Sequence, residues 1–154
     1  MNTARLGTAL QGLAHAEVAF QGGIKYARER LQMRSLTGPK APEKAADPII
    51  VHPDVRRMLL GMRSQVEGAR ALLGWVSARY VHSQKNPDAV ARRDADDFVS
   101  LMTPIVKAYC TDMGSEVTNL GVQIFGGHGY IRGHGMEQLV RDARICQILS
   151  LIHI

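Results

Sequence analysis

The chain has 154 residues, of which 45% are hydrophobic and 21% charged, and its formal net charge is +5. This composition is typical of one soluble domain that is long enough to bury its own core. It excludes a membrane span, because no apolar run approaches the ~20 residues that a span requires. No signal peptide precedes the first helical pattern, so we expect a cytoplasmic protein.

The charged and sulfur-containing residues carry little specific signal. Lys and Arg are spread along helical segments, so a solvated surface explains the positive charge more simply than nucleic acid or an anionic cofactor does. Cys110 and Cys146 have no C-x-x-C partner and are predicted to be buried thiols. The chain begins without a helix cap and stops in an apolar tail, LSLIHI, which predicts a piece of a larger protein.

The first predicted element is one long helix from about Thr3 to Arg34. Apolar residues recur there at intervals of three or four and form one stripe. They are Leu6, Leu10, Leu13, Ala16, Phe20, Ile24, Ala27 and Leu31. Gly22 and Gly23 interrupt the stripe at a cost of roughly 1 kcal/mol each relative to alanine. Either another helix crosses closely at this point or the helix bends.

A second helix follows a loop at residues 35–51, where one glycine and three prolines occur without periodicity. Pro53 stands at the start of this helix, where its missing N–H is harmless. The apolar positions then alternate steps of four and three, which predicts a seam for antiparallel packing in a bundle. These positions are Val55, Leu59, Met62, Val66, Ala69, Leu73, Val76 and Tyr80. Trp75 lies beside the seam and is predicted to contact another helix.

After a turn at residues 82–88, a third helix is predicted from Ala89 to Phe125, with a kink at Pro104. Its predicted inner face consists of Phe98, Met102, Ile105, Tyr109, Met113 and Val117. A loop with five glycines runs from Gly126 to Gly135. The fourth helix, Met136–Leu149, is predicted to turn four residues inward: Leu139, Val140, Ala143 and Cys146. No strand-like alternation occurs, so the predicted fold class is all-α, an up-and-down four-helix bundle.

Four motifs, in this order and spacing, resemble the C-terminal helical domain of acyl-CoA dehydrogenases. They are Asn2-x-x-Arg5-Leu6-Gly7 with Gln11-Gly12-Leu13, Tyr26-Ala27-x-Glu29-Arg30-x-Gln32, Gln123-x-Phe125-Gly126-Gly127-x-Gly129-Tyr130, and Arg141-Asp142-x-Arg144-Ile145. The resemblance covers residues 1–148, which we predict to be one domain, and residues 149–154 are predicted to be a tail foreign to the family. More narrowly, three features resemble a bacterial branch that acts on long-chain or sulfur-containing acyl-CoA. They are the His52-Pro53 opening, the insert before it and the segment Gly133-His134-Gly135-Met136-Glu137.

The resemblance implies a flavin-dependent oxidation. In such enzymes a carboxylate takes a proton from Cα of an acyl-CoA thioester, and a hydride leaves Cβ for FAD. The electrons then pass to an electron-transfer flavoprotein, and the parent enzyme is a homo-oligomer, either a dimer or a tetramer. An acyl-CoA oxidase shares this fold and is the rival enzyme. A non-catalytic helical module that binds a partner or nucleic acid through its basic surface is the alternative from another class.

Matched motif by motif, the resemblance also implies two groups of binding residues. The positions that contact FAD across a dimer interface are Arg30, Gln32, Gln123, Gly126 and Gly127. The positions that touch acyl-CoA are Asn2 and Arg5. Diphosphate oxygens favour an arginine fork and exposed backbone amides, and glycine lets a dinucleotide lie close. Without the family pattern, Arg30 would be interpreted as a solvated helix end and Gln123 as a simple cap.

The chain departs from the family pattern at its catalytic position. The resemblance implies Tyr-Glu-Gly-Thr after Ile148, with the Glu as catalytic base, but Leu149, Ser150, Leu151 and Ile152 stand there. The hydroxyl of Ser150 holds its proton too tightly to act as that base without an activating partner. We therefore expect no catalytic residue in this chain and no activity of the chain alone. We also expect no metal site.

Overall fold

The computed structural model describes residues 2–149, without the side chain of Asn2; Ser150 lies outside the described residues. Five α-helices occur in the described part: α1 (Asn2–Glu29), α2 (Pro53–Lys85), α3 (Ala89–Phe125), α4 (Gly127–Tyr130) and α5 (Met136–Ile148). Short 3-10 turns occupy Ile49–Val51 and Arg132–His134. Between residues 2 and 149 there is no strand, only one isolated bridge between Leu31 and Pro48.

The four long helices form the predicted all-α bundle. Helix α1 packs on α2, α3 and α5, and α3 lies against all three of the other long helices. Residues with almost no solvent exposure mark the centre of the core: Met62, Val66, Val76, Val99, Val106 and Val117. The predicted seam of α2 is confirmed, because its six inner positions are buried and its end residues, Val55 and Tyr80, pack against the core. None of the described helices is long and apolar enough to cross a membrane.

The predicted end of the first helix was wrong by several residues. Helix α1 ends at Glu29, and the chain from Arg30 onward pairs with the following loop instead of continuing the helix. The amide of Ile49 donates to the carbonyl of Arg30 at 2.9 Å, and the amide of Gln32 donates to the carbonyl of Asp47, also at 2.9 Å. Met33 has a positive φ of 59°, which a helix does not allow.

The loop between α1 and α2 is organised by the buried carboxylate of Asp47, which has 0% exposure. This carboxylate accepts hydrogen bonds from the amides of Ser35 (2.9 Å), Lys40 (2.9 Å) and Ala41 (2.7 Å), and from Nη1 of Arg34 (3.2 Å). The bond from the Ser35 amide is the largest cause that lowers the pKa of Asp47 to about 2, against the opposing effect of burial. An ionised side chain at the centre therefore holds a loop that has little secondary structure of its own.

The predicted bounds of α3 are confirmed, but two of the six residues of its predicted inner face were wrong. Ile105 and Tyr109 are 50% and 42% exposed, whereas smaller residues one position away are buried. The buried residues in this part of α3 are Val99, Thr103, Val106 and Cys110. Thr103 can be buried because its hydroxyl donates to the carbonyl of Val99 at 2.6 Å. A face of small residues suits the close approach of α1.

The closest helix crossing joins Gly12 of α1 and Gly114 of α3. A Cβ on Gly12 would stand 2.4 Å from the carbonyl oxygen of Cys110, and a Cβ on Gly114 would stand 2.7 Å from the carbonyl oxygen of Gly12. At Gly22, a Cβ would stand 3.2 Å from Cε of Met136 in α5, which favours the first of the two sequence explanations, close packing by another helix. The closest contact of α1 with another helix nevertheless lies at Gly12, ten residues before Gly22.

Candidate functional site

An open groove of about 660 Å³ lies where the end of α3 meets the loop after α1 and the start of α2. All five residues that the family resemblance assigned to FAD line this groove: Arg30, Gln32, Gln123, Gly126 and Gly127. Its other walls include apolar residues from the loop and from α2, among them Met33, Ile49 and Met58. Two segments that are distant in the sequence are thus brought together at one end of the bundle.

The loop side of the groove is held by backbone hydrogen bonds. The carbonyl of Arg30 accepts from Ile49, and the amide of Gln32 donates to Asp47. The carbonyl of Gln32 also lies 2.9 Å from Nε2 of His52, the residue just before α2. These bonds fix the backbone that carries the polar side chains of the groove. These hydrogen bonds can form because α1 ends at Glu29, which leaves the following backbone groups outside the helix.

The opposite side of the groove is a glycine turn that predicts a close approach of a ligand to the backbone. Gly126 ends α3 with φ 58° and ψ −137°, a conformation that favours glycine, and its amide donates to the carbonyl of Gln123 at 3.2 Å. A Cβ on Gly126 or Gly127 would meet no atom within 4 Å, so the space above both residues is open. The predicted loop was wrong in detail, since residues 127–130 form the short helix α4.

Arg30 is the main cationic group at this groove that is free to bind a ligand. Within residues 2–149, no carboxylate lies at ion-pair distance from its guanidinium group. Arg34, by contrast, is committed to Asp47 and to the carbonyls of Ala41 and Lys44. The groove can therefore offer a guanidinium fork to an anionic oxygen without first breaking an internal pair.

Beside the glycine turn lies an aromatic cluster that the sequence motifs did not mark as functional. The rings of Tyr26 and Phe125 stack with centroids 4.1 Å apart, and the hydroxyl of Tyr26 lies 3.0 Å from Nδ1 of His128. The ring of His134 stands edge-on to that of His128, with centroids 5.1 Å apart. Tyr26 and His128 also line the groove. In the sequence, only two motifs indicated that this region packs together, the one that begins at Tyr26 and the Gly126-Gly127-x-Gly129 motif.

Arg5, one of the two residues assigned to acyl-CoA, does not line this groove. Arg5 is partly buried near the start of α1, whereas Arg30 follows the last residue of that helix, roughly 37 Å away at 1.5 Å per residue. The side chain of Asn2 lies outside the described part of the structure. Arg5 and the five residues assigned to FAD therefore lie at opposite ends of the bundle.

Comparison with known proteins settles the family. The family model described as the C-terminal domain of acyl-CoA dehydrogenase matches residues 1–150. The chain belongs to this family. It is 44% identical to the 3-methylmercaptopropionyl-CoA dehydrogenase of Ruegeria pomeroyi over 152 residues, which is 96% of this chain and 24% of that protein. The chain thus spans about a quarter of the length of the curated relatives it matches.

Solved structures of the family share the fold of this domain. The butyryl-CoA dehydrogenase of Megasphaera elsdenii matches with a TM-score of 0.74 at 26% identity, covering 96% of this chain and 32% of that one. A chain from a structure described as the electron-transferring flavoprotein of Acidaminococcus fermentans matches with a TM-score of 0.73 at 27% identity and the same coverage. The five-helix domain is therefore an acyl-CoA dehydrogenase C-terminal domain in structure as well as in sequence.

Proposed function

We propose that this chain is the C-terminal part of a flavin-dependent acyl-CoA dehydrogenase, and that its groove binds the diphosphate part of FAD. The observation that carries the proposal is the convergence of Arg30, Gln32, Gln123, Gly126 and Gly127 on one groove. The parent reaction removes a proton from Cα and a hydride from Cβ of an acyl-CoA thioester. FAD, when bound, supplies the acceptor of that hydride.

The groove has the chemistry that a dinucleotide diphosphate requires. Arg30, which has no carboxylate at ion-pair distance among the described residues, supplies a fork of N–H donors. The side-chain amides of Gln32 and Gln123 can bond to polar edges of the ligand. The open space over Gly126 and Gly127 lets phosphate oxygens approach the backbone, where any Cβ would stand in the way. A volume of about 660 Å³ lies within the usual range for ligand sites, roughly 300–1,000 Å³.

The distance between the two ends of the bundle supports an assembly of several subunits. Since Arg5 and Arg30 lie at opposite ends of α1, the residues assigned to acyl-CoA and to FAD serve different active sites. We infer that the groove completes the flavin site of a partner subunit in a homo-oligomer.

An electron-transfer flavoprotein as acceptor is supported by the structural match to the Acidaminococcus fermentans chain. The 44% identity to 3-methylmercaptopropionyl-CoA dehydrogenase supports a sulfur-containing acyl group as substrate.

We further propose that the chain alone does not catalyse the oxidation, because Ser150 occupies the position that the family resemblance assigns to the catalytic Glu. Acyl-CoA-dependent reduction of an artificial electron acceptor by the purified chain with added FAD tests this. Background rates are expected with butyryl-CoA and with 3-methylmercaptopropionyl-CoA. Turnover above the rate of free FAD would contradict the proposal.

The binding proposal is tested by titrating FAD and ADP into the purified chain by calorimetry. Arg30→Ala is expected to weaken binding about 10- to 100-fold, the range for loss of charge-assisted hydrogen bonds. Gly127→Ala is expected to weaken binding without loss of stability, because its added methyl group meets no protein atom. Arg93→Ala removes an exposed arginine of α3, and Gly133→Ala adds a methyl group in open space away from the groove; both are matched controls. Equal affinity of all four variants would refute the proposal.

A further inference from the structure

The hydrogen bond between Tyr26 and His128 determines which nitrogen of the imidazole remains available. The Tyr26 hydroxyl lies 3.0 Å from Nδ1 of His128. The distance alone does not fix the donor, but a phenol is a good O–H donor and a neutral imidazole nitrogen a good acceptor, so we assign the phenol as the donor to Nδ1. This assignment requires the imidazole tautomer whose hydrogen is on Nε2. The second ring nitrogen is then an N–H donor even when the histidine is neutral. His128 also lines the groove next to Gly126 and Gly127.

We propose that His128 is an additional ligand-binding residue of the groove, which donates from Nε2 to an anionic oxygen of the diphosphate and is oriented by Tyr26. This inference rests on the proposed function, since it assigns His128 to the same diphosphate that Arg30 binds. None of the four family motifs includes this position, which stands as an unspecified residue between Gly127 and Gly129. The assignment comes from the contacts of the side chain.

The surroundings of His128 hold its ring in place before a ligand binds. Tyr26 is itself fixed by stacking on Phe125, with ring planes 18° apart. The backbone around His128 is also fixed, because α4 packs closely against α3 at Gly129. A Cβ on Gly129 would stand 2.7 Å from the carbonyl oxygen of Val122. A donor that is already oriented loses little conformational freedom on binding and so contributes more to affinity.

A purely structural role for His128, limited to its bond with Tyr26, is the competing explanation. Two substitutions separate the roles, because the amide of asparagine reaches the place of Nδ1 and the amide of glutamine reaches the place of Nε2. His128→Asn keeps a partner for Tyr26 and removes the donor toward the ligand. His128→Gln keeps that donor and changes the bond to Tyr26. Tyr26→Phe keeps the stacked ring and removes the orienting hydroxyl.

The test is calorimetric titration of FAD and ADP into the full chain and these variants, with thermal melting to follow stability. His128→Asn is expected to weaken binding about 5- to 30-fold with little change in the melting temperature, and His128→Gln to stay within about 3-fold of the unchanged chain. Tyr26→Phe is expected to fall between the two. The same pattern for ADP and FAD would assign the contact to the adenosine diphosphate part that the two ligands share.

The outcomes distinguish this inference from the proposed function. If Arg30→Ala and Gly127→Ala lose affinity while His128→Asn binds like the unchanged chain, the role of His128 is refuted and the proposed function stands. If His128→Gln loses affinity while His128→Asn keeps it, the structural explanation is correct. An equal loss in both variants also overturns the assignment, because the donor that glutamine keeps would then contribute nothing to binding. If no variant alters binding, or the unchanged chain binds neither ligand, both proposals fail.

Discussion

The contact of α1 with α3 predicts opposite effects for one substitution at two positions of the same helix. Gly12→Ala would place a Cβ 2.4 Å from the carbonyl oxygen and 2.8 Å from the carbonyl carbon of Cys110. Both atoms belong to the backbone of α3, so no side chain can rotate away. Gly7→Ala would place its Cβ where no atom lies within 4 Å. Gly7 therefore serves as the matched control within α1.

The expected magnitudes follow from helix propensity and overpacking. Alanine in place of glycine inside an exposed helix stabilises by about 0.5–1 kcal/mol, which we expect for Gly7→Ala. At Gly12 the helices must separate by roughly 1 Å to restore ordinary contact, and overpacking of this kind costs about 1–3 kcal/mol. The net result is a destabilisation of about 1–2 kcal/mol. For a chain of this size each kcal/mol shifts the melting temperature by roughly 2–4 °C.

The double variant with Gly114→Ala sharpens this test. A Cβ on Gly114 would stand 2.7 Å from the carbonyl oxygen of Gly12, at the same crossing. One separation of the two helices relieves both clashes, so the double variant is expected to lose at least ~0.5 kcal/mol less stability than the sum of the single losses. Urea unfolding followed by circular dichroism measures all four variants. If Gly12→Ala is as stable as Gly7→Ala, the close crossing is refuted.

Three further predictions concern the loop, the core and the surface. The pKa of Asp47 is lowered from 3.8 to about 2, so its stabilising effect is full above pH 3.8 and is lost as the pH falls through about 2. The difference in melting temperature between the unchanged chain and Asp47→Asn should therefore shrink from pH 5 to pH 2; a constant difference would contradict this. Met62→Ala at the fully buried centre should cost about 2–5 kcal/mol in urea unfolding, against less than about 1.5 for Met62→Leu. Exposed Leu101, Ile105 and Tyr109 predict self-association in size-exclusion chromatography, and a monodisperse monomer would count against it.

The helices were predictable where a local signal marks them. Helix α3 begins and ends at the residues read from the sequence, because Asp88 caps its first turn through a 2.9 Å bond to the amide of Val90 and Gly126 ends it in a conformation that favours glycine. Helix α2 begins at Pro53 for a comparable local reason. Its seam follows from spacing alone, because apolar residues, most of them large, fill every position.

The errors arose where long-range contacts decide the structure. Arg30 to Arg34 continue the helical period through Leu31, but their backbone groups bond to residues 47 and 49, which periodicity does not reveal. On α3, large apolar side chains were preferred to Thr103 and its small neighbours as the inner face. The close approach at Gly12 requires small residues, so size there was a misleading guide to burial.

Part of the candidate site was predictable from sequence motifs, and part follows only from the three-dimensional structure. The five residues assigned to FAD came from family motifs, and their common groove is a property of the fold. The pairing of Tyr26 with His128 joins two residues far apart in the chain, so no motif contains it. It becomes visible only when α4 is packed against the end of α3.

The position of the groove has a physical reason in the ends of the helices. Inside a helix the backbone groups bond to one another, and only at the ends are they free for a ligand or a side chain. The end of α3, the chain after α1 and the start of α2 all line the groove. Backbone groups that no helix satisfies therefore lie close together at one end of an otherwise apolar bundle. A loop this irregular costs about 1–2 kcal/mol of backbone entropy for each ordered residue. The buried carboxylate of Asp47, with its three amide donors and Arg34, offsets part of that cost and keeps the groove formed before a ligand arrives.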